Sequence, residues 1–174
     1  MKFKTPKPTA RMELLVSLGR EGLPFWDICC DHGYIGILAL KSQRYTSVYF
    51  VDNVEHIIDR LAKLIKISPL DFPKDQAVLI HSPAEDLSLK LFGTVVIAGV
   101  GGRTIIKILK SLLLKNLLCA EVVLLSAHTD EALLSEFIMD SSMSKQYITD
   151  GVCEIKEGRR GRRIIKLLKV SEQA

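Results

Sequence analysis

The chain lacks any apolar run long enough to cross a bilayer. Its longest, 105–118, is interrupted by Lys107, Lys110 and Lys115, and a spanning helix needs about 20 consecutive apolar residues. The basic start Met1-Lys2-Phe3-Lys4-Thr5-Pro6-Lys7-Pro8 is followed by no apolar stretch of the kind a secretory signal carries. A cytoplasmic protein with no membrane partner is therefore expected. Cysteine is scarce as well. The four present are Cys29, Cys30, Cys119 and Cys153, with no pair at the two-residue spacing of zinc or redox sites. That supports neither a disulfide framework nor a metal site, and Cys119 and Cys153 read as small buried thiols at strand ends. Internal repeats, low-complexity tracts and inter-domain linkers are missing too. With 174 residues, 48% of them hydrophobic and 25% charged, the chain can bury a core without a long disordered segment. One domain over 1–174 is expected, opening with a helix at about 9–19. The net charge of +4 permits a nucleic-acid partner but does not require one.

Hydrophobic spacing predicts alternating strands and helices. Thr9 precedes a helix over 10–19, with Met12, Leu14, Leu15 and Leu18 at helical spacing, placed to cover one edge of a sheet. Strand 25–28, loop 29–33 and a helix over about 34–41 open a strand–helix–strand unit. Strand 47–51, closed by Asp52, helix 55–66 and strand 77–81 continue it. Strand 94–98, a glycine-rich loop, helix 104–118, strand 121–125 and helix 130–139 follow. The rhythm then breaks, since 147–156 and 162–170 read as two strands joined by 157–161. The fold class is α/β: a Rossmann-like, mostly parallel, doubly wound sheet with a C-terminal antiparallel hairpin.

In such sheets ligands bind beyond the carboxyl ends of the strands, where strand order reverses. Three loops there carry chemistry. Asp27-Ile-Cys-Cys-Asp31-His32-Gly33-Tyr34 follows the first strand, but it is not the Gly-x-Gly-x-x-Gly fingerprint of dinucleotide sites, because Cys29 takes the first glycine position and a carboxylate sits where a pyrophosphate would approach. That acidity disfavours NAD. It suits S-adenosylmethionine, which has no phosphate and carries an ammonium and a sulfonium. Gly33 would admit close approach of the chain at the helix start. On spacing alone, a plain strand–helix connection capped by Asp31 explains the loop equally well.

Asp52 stands where an acid can hold ribose hydroxyls, although Asp52-Asn53 could equally cap a helix. The segment Ser82-Pro83-Ala84-Glu85-Asp86-Leu87 offers backbone groups and, at Ala84, a wall against adenine. Gly99, Gly101 and Gly102 in Ile97-Ala-Gly-Val-Gly-Gly imply a backbone passing close to a ligand, and with no P-loop lysine a cleft for the methyl acceptor ranks above a phosphate turn. Arg159, Arg160, Arg162, Arg163 and Lys166 form the densest basic cluster, with Lys2, Lys4, Lys7 and Arg11 near the other terminus. Charge runs are usually solvated faces, yet this one has the chemistry to hold an RNA backbone. His128, after the fifth strand, could enter the site, though a loop histidine without a partner is more often incidental.

The pair Asp27-Ile-Cys-Cys-Asp-His-Gly-Tyr and Ile97-Ala-Gly-Val-Gly-Gly resembles the bacterial tRNA (adenine(22)-N1)-methyltransferase family, whose motifs run approximately Asp-Ile-Gly-Ser-Asp-His-Ala-Tyr and Ile-Ala-Gly-Met-Gly-Gly. The resemblance extends from the N-terminal helix to the 154–165 hairpin. It implies a class I methyltransferase fold, S-adenosylmethionine as cofactor and adenine N1 of tRNA as acceptor. By that likeness Asp31, His32 and Tyr34 are candidate catalytic residues. Asp27, Cys29, Gly33, Asp52, Ala84, Gly99, Gly101 and Gly102 are candidate cofactor residues, and Arg159, Arg160, Arg162 and Arg163 candidate RNA-binding residues. Three departures stand out. Cys29 replaces a motif glycine, Ser126-Ala127-His128 occupies the place of Gln-Pro-Asn, and the sequence stops before the family's helical C-terminal extension. They leave two alternatives: a non-catalytic or partner-dependent RNA-binding module on this fold, or a methyltransferase acting on a small molecule or protein. A second copy or a helper chain is left open as a further partner.

Overall fold

The computed structural model describes residues 7–67, 74–139, 141–157 and 160–170. In chain order the elements are α1 (Ala10–Ser17), β1 (Phe25–Ile28), α2 (Tyr34–Ser42), β2 (Val48–Asp52), α3 (Glu55–Ile67), β3 (Ala77–His81), β4 (Thr94–Ala98), α4 (Gly102–Leu114), β5 (Val122–Ser126), α5 (Glu131–Met139), α6 (Ser141–Ser144), β6 (Tyr147–Glu157) and β7 (Arg160–Lys169). The seven strands form one sheet in the order β3-β2-β1-β4-β5-β7-β6. Strands β1 to β5 are mutually parallel, β7 is antiparallel to β5, and β6 is antiparallel to β7. This is the predicted doubly wound sheet with its terminal hairpin. Strand order reverses between β1 and β4, so the crevice beyond their carboxyl ends is where the architecture places a ligand.

Alternation along the strands divides the core in two. Trp26, Ile28, Val95, Ile97, Val123 and Leu125 face a layer containing α4 and α5, whose Ile105, Ile108, Leu109, Leu112, Leu134 and Phe137 join the same cluster. Phe25, Phe50, Val96 and Leu124 share the opposite cluster with Leu15 and Val16 of α1, Ile37 and Leu40 of α2, and Ile58, Leu61 and Ile65 of α3. Strands β1, β4 and β5 are buried at every residue, which is why they read as apolar runs and not as alternating ones. Asp27 is in register with Phe50, and Asp52 lies two residues beyond Phe50 on the same face, so Asp27 and Asp52 both turn toward the α2 and α3 layer. Helix α1 also belongs to that layer, lying against α2 and β6, so it covers part of a sheet face and is not confined to an edge.

One boundary differs for a visible reason. Helix α4 starts at Gly102 and stops at Leu114, earlier at both ends than its spacing suggested. Asn116 takes a left-handed φ of 55°, and two backbone bonds, Leu117 N to Leu112 O at 2.8 Å and Asn116 N to Leu113 O at 3.0 Å, close the helix in the manner of a Schellman cap. Leu118, freed from the helix, bridges to Leu91. The short α6 was not anticipated. No helix among the described residues is long and apolar enough to cross a membrane.

Candidate functional site

The loop after β1 is a tight, hydrogen-bonded turn. Cys30 N donates to Val51 O at 3.0 Å, Gly33 N to Cys30 O at 2.7 Å, and Asp31 N to the Asp52 carboxylate at 2.9 Å. Asp52 also accepts from Val54 N at 3.0 Å through its other oxygen. One acid at the end of β2 thus organises both the β1 loop and its own turn, and each carboxylate oxygen keeps a second lone pair for a ligand. The turn requires left-handed backbone at Cys29 (φ 58°), Asp31 (φ 45°) and Gly33 (φ 68°). Aspartate tolerates that region better than most residues, whereas Cys29 holds it at a cost of about 1–2 kcal/mol. This is the local consequence of placing cysteine where the resembling motif has glycine.

Asp27 is 3% exposed and accepts from Gly36 N at 2.9 Å. Burial, only partly offset by that hydrogen bond and reinforced by Asp52 and Asp31, pushes its carboxyl from 3.8 up to about 7. Burial likewise pushes the Cys29 thiol up to about 12, with Asp52, Asp27 and Glu85 adding to the effect, so it stays a neutral thiol. Three carboxylates therefore converge on a loop that offers no cation of its own at its buried end.

A cleft of about 270 Å³ opens beside them, lined by Asp27, Cys29, Cys30, Asp31, His32, Tyr34 and Ile35 from β1 through α2, by Ala98 and Gly99 after β4, by His128 after β5, and by Arg11 and Met12 of α1. The structure thus brings Asp27, Cys29, Asp31, His32, Tyr34 and Gly99 to one cleft at the strand-order reversal. Asp31 and His32 stand at its rim, with side chains 67% and 48% exposed. Arg60 approaches His32 Nδ1 at 2.7 Å. A guanidinium can only donate, so Nδ1 accepts and the ring proton sits on Nε2; the 3.1 Å approach of Asp31 to the same Nδ1 is then a contact and not a hydrogen bond. The His32 and Tyr34 rings meet edge to face at 5.2 Å.

Other predicted residues lie elsewhere. Gly33 faces the core: a Cβ there would meet Leu61 Cδ2 at 2.5 Å. Gly101 and Gly102 pack against the β5–α5 loop, where added Cβ atoms would meet Thr129 Oγ1 at 2.8 Å and Asp130 O at 2.5 Å. Their small size is explained by that packing, while Gly99, with φ 83° and near-open space above it, is the glycine that borders the cleft. Ala84 is buried among apolar residues in a 3-10 turn tied to α4 by Ser111 and Lys115, both donating to Glu85 O.

The hairpin arginines divide as well. Arg160 is exposed, and Arg163 is half-exposed near Glu154 at 3.8 Å. Arg162 turns inward, 13% exposed with Nε 3.8 Å from Glu157, which corrects its expected place on a solvent face. Arg159 lies outside the described residues. Residues that sequence reasoning missed are Arg11, Met12, Ile35 and Ala98. Arg11 left a signal, since it precedes Leu15 by four residues on the helix face that α1 buries.

The family model described as a methyltransferase domain matches residues 9–151, most of the chain. The chain belongs to the methyltransferase domain family. No curated protein matches this methyltransferase by sequence. Among solved structures it is similar to M. capricolum TrmK in complex with S-adenosylhomocysteine, with TM-score 0.76, 20% identity, and coverage of 93% of this chain and 69% of that one. It is also similar to B. subtilis TrmK, an m1A22 tRNA methyltransferase, with TM-score 0.77, 15% identity, and coverage of 93% and 66%. The Synechocystis magnesium protoporphyrin IX methyltransferase with bound S-adenosylmethionine shares the fold at TM-score 0.66 and 13% identity, covering 92% of this chain and 77% of that one. One fold thus serves acceptors as different as a tRNA and a porphyrin.

Proposed function

We propose that this methyltransferase uses S-adenosylmethionine to methylate N1 of an adenine in tRNA, in the cytoplasm. The observation that carries the cofactor assignment is Asp27, a buried carboxyl at the β1/β4 crevice that forms no salt bridge among the described residues. An ammonium is its natural complement, and a pyrophosphate would be repelled. The residues present fit the cofactor: Asp27 would take the ammonium, the left-handed Cys29 turn would shape that end of the pocket, and Asp52 would use its spare lone pairs on the ribose, while Gly33 and Ala84 act from the packed core behind them. Gly99 keeps the floor of the acceptor cleft open, and Gly101 and Gly102 fix the loop that carries it. When bound, S-adenosylmethionine supplies an electrophilic methyl on its sulfonium, which adenine N1 takes with its in-plane lone pair, leaving a neutral thioether and a cationic ring.

Adenine N1 carries no proton at neutral pH, so no residue is needed as a base before attack. The protein's work is alignment, which alone can supply much of the rate. Asp31, exposed at the rim, accepts a hydrogen bond from the adenine N6 amine and stabilises the cationic ring as it forms. His32 and Tyr34 hold the rim, where Arg60 fixes the imidazole. Because N1 is buried in a Watson–Crick pair, the target base must be unpaired or flipped outward. Arg160 and Arg163 hold the RNA backbone, and Arg162 anchors the hairpin that presents them. The acceptor assignment is supported by the paired loop motifs and by the likeness to tRNA m1A22 enzymes.

The test is incubation with bulk tRNA and methyl-labelled S-adenosylmethionine, followed by nucleoside analysis. Label in 1-methyladenosine is expected; label only in a protein or small-molecule fraction would overturn the acceptor.

A further inference from the structure

Helix α3 brings an arginine to the rim of the cleft. Leu61 packs directly behind Gly33, where an added Cβ would meet Leu61 Cδ2 at 2.5 Å, and this close approach sets the preceding residue, Arg60, over the β1 loop. Arg60 is half-buried, and its guanidinium donates to Asp31 O at 3.4 Å and to His32 Nδ1 at 2.7 Å. The loop is therefore pinned from two sides, since Asp31 N is held by the Asp52 carboxylate at 2.9 Å.

A ring nitrogen that accepts from arginine carries no proton, so the imidazole hydrogen sits on Nε2. That N–H has no acceptor among the described residues, and the ring borders the cleft beside Tyr34. Asp31 stands next to it, with Oδ1 3.1 Å from His32 Nδ1 and a side chain 67% exposed. An ionised carboxylate only accepts. The rim thus presents one donor and one acceptor side by side, the first fixed through its ring and the second through its backbone.

Adenine carries the complementary pair on one edge, where N7 accepts and the N6 amine donates. N1 lies on the other side of C6, so a base held by N6 and N7 keeps its N1 lone pair free. The imidazole N–H could not face N1 without occupying the lone pair that takes the methyl. Guanine presents O6 in place of the amine and would set a second acceptor against Asp31. A phosphate, with acceptors alone, would meet the same carboxylate.

We propose that the rim reads adenine by its N6/N7 edge, an inference that rests on the adenine-N1 reading above. Asp31 accepts from N6, His32 Nε2–H donates to N7, and Arg60 is the positioning residue that holds the imidazole in its donating tautomer. Recognition of the base is thereby separated from the atom that reacts.

A synthetic tRNA carrying 7-deazaadenosine at the methylated position, once primer extension has located it, replaces N7 by C–H and changes nothing else. Wild type is expected to methylate it with kcat/KM lowered about 3–10-fold, the scale of one neutral hydrogen bond. His32→Phe should lose about 3–10-fold on natural tRNA and then treat the two RNAs alike within about twofold. His32→Gln, whose amide can donate, should recover part of that difference. In Arg60→Met the nitrogen-15 shifts of the His32 ring should move away from those of a pure Nε2–H tautomer and the effect of the missing N7 should shrink, whereas Arg60→Lys should keep both. Equal wild-type rates on the two RNAs would overturn the inference, as would an Nδ1–H tautomer in the wild type; neither result depends on a variant that folds. A His32→Phe enzyme that still discriminates fully between the RNAs would overturn it too. Absence of 1-methyladenosine from wild type on natural tRNA would strike the acceptor reading itself, and the inference with it.

Discussion

Replacing Asp27 by asparagine should make the protein more stable at alkaline pH relative to wild type, while weakening its hold on the cofactor. Asp27 is 3% exposed and its carboxyl is raised from 3.8 to about 7, chiefly by burial. Below pH 3.8 the group is protonated in folded and unfolded chains alike; above about 7 it is ionised in both. Between those limits the folded state binds more protons than the unfolded state, so stability falls as pH rises. The accumulated cost above pH 7 is about 4 kcal/mol, at 1.36 kcal/mol per tenfold change in the ionisation constant. Asparagine has no such cost. Its carbonyl can keep the Gly36 N–H, but an amide NH2 without an acceptor costs about 1–3 kcal/mol at every pH. The difference between variant and wild type should therefore shift in the variant's favour by about 3–4 kcal/mol between pH 4 and pH 8, whatever the fixed cost of the amide. For a chain of this size that is roughly 6–16 °C in relative Tm. Thermal unfolding of both proteins across that range is the assay. Parallel curves would refute the reasoning, since they would mean that Asp27 titrates alike in folded and unfolded chains.

Asp31→Asn should lower kcat by about 10–100-fold, the scale of losing one preorganised electrostatic partner, with S-adenosylhomocysteine affinity changed by less than about threefold; equal loss of both would move Asp31 to the cofactor. Glu157→Ala should cost about 2–4 kcal/mol in chemical denaturation, because it strands two buried guanidiniums, and a change within about 0.5 kcal/mol would contradict the ion-pair geometry. Although burial opposes it, Thr9, Arg11 and Arg162 hold the Glu157 carboxyl below its ordinary value. Its contribution is thus full at neutral pH and lost as pH falls through the depressed value, so the gap between variant and wild type should narrow in acid. Reversing the charges of Arg160 and Arg163 together should weaken tRNA binding and flatten its dependence on salt by about 0.7–0.9 in log–log slope per lost phosphate contact. An unchanged slope would remove the hairpin from the RNA surface.

Much of this was legible because it is local. Strands β1, β3 and β4 are short apolar runs ended by Asp27-Ile28, His81 and Ala98-Gly99, and the structure keeps those limits. The β1 loop brings Asp27, Cys29, Asp31, His32 and Tyr34 together within eight consecutive residues, so finding one finds the rest. What stayed hidden depends on residues far apart in sequence. Gly101 and Gly102 look like a ligand-binding turn until Thr129 and Asp130 are seen against them. Arg162 looks like its exposed neighbour Arg160 until Glu157, held across the fold by Thr9 and Arg11, is seen beside it. The end of α4 turned on one backbone angle at Asn116, which its spacing of Leu112, Leu113, Leu117 and Leu118 could not disclose.

The measurement closest to the central claim is calorimetric titration of the purified protein at pH 7.5 with S-adenosylhomocysteine and, separately, with NADH. Saturable binding of S-adenosylhomocysteine at one site, with no heat from NADH, is the expected result. Binding of NADH in place of S-adenosylhomocysteine would contradict the account, because a pyrophosphate would then be sitting against Asp27 and Asp31.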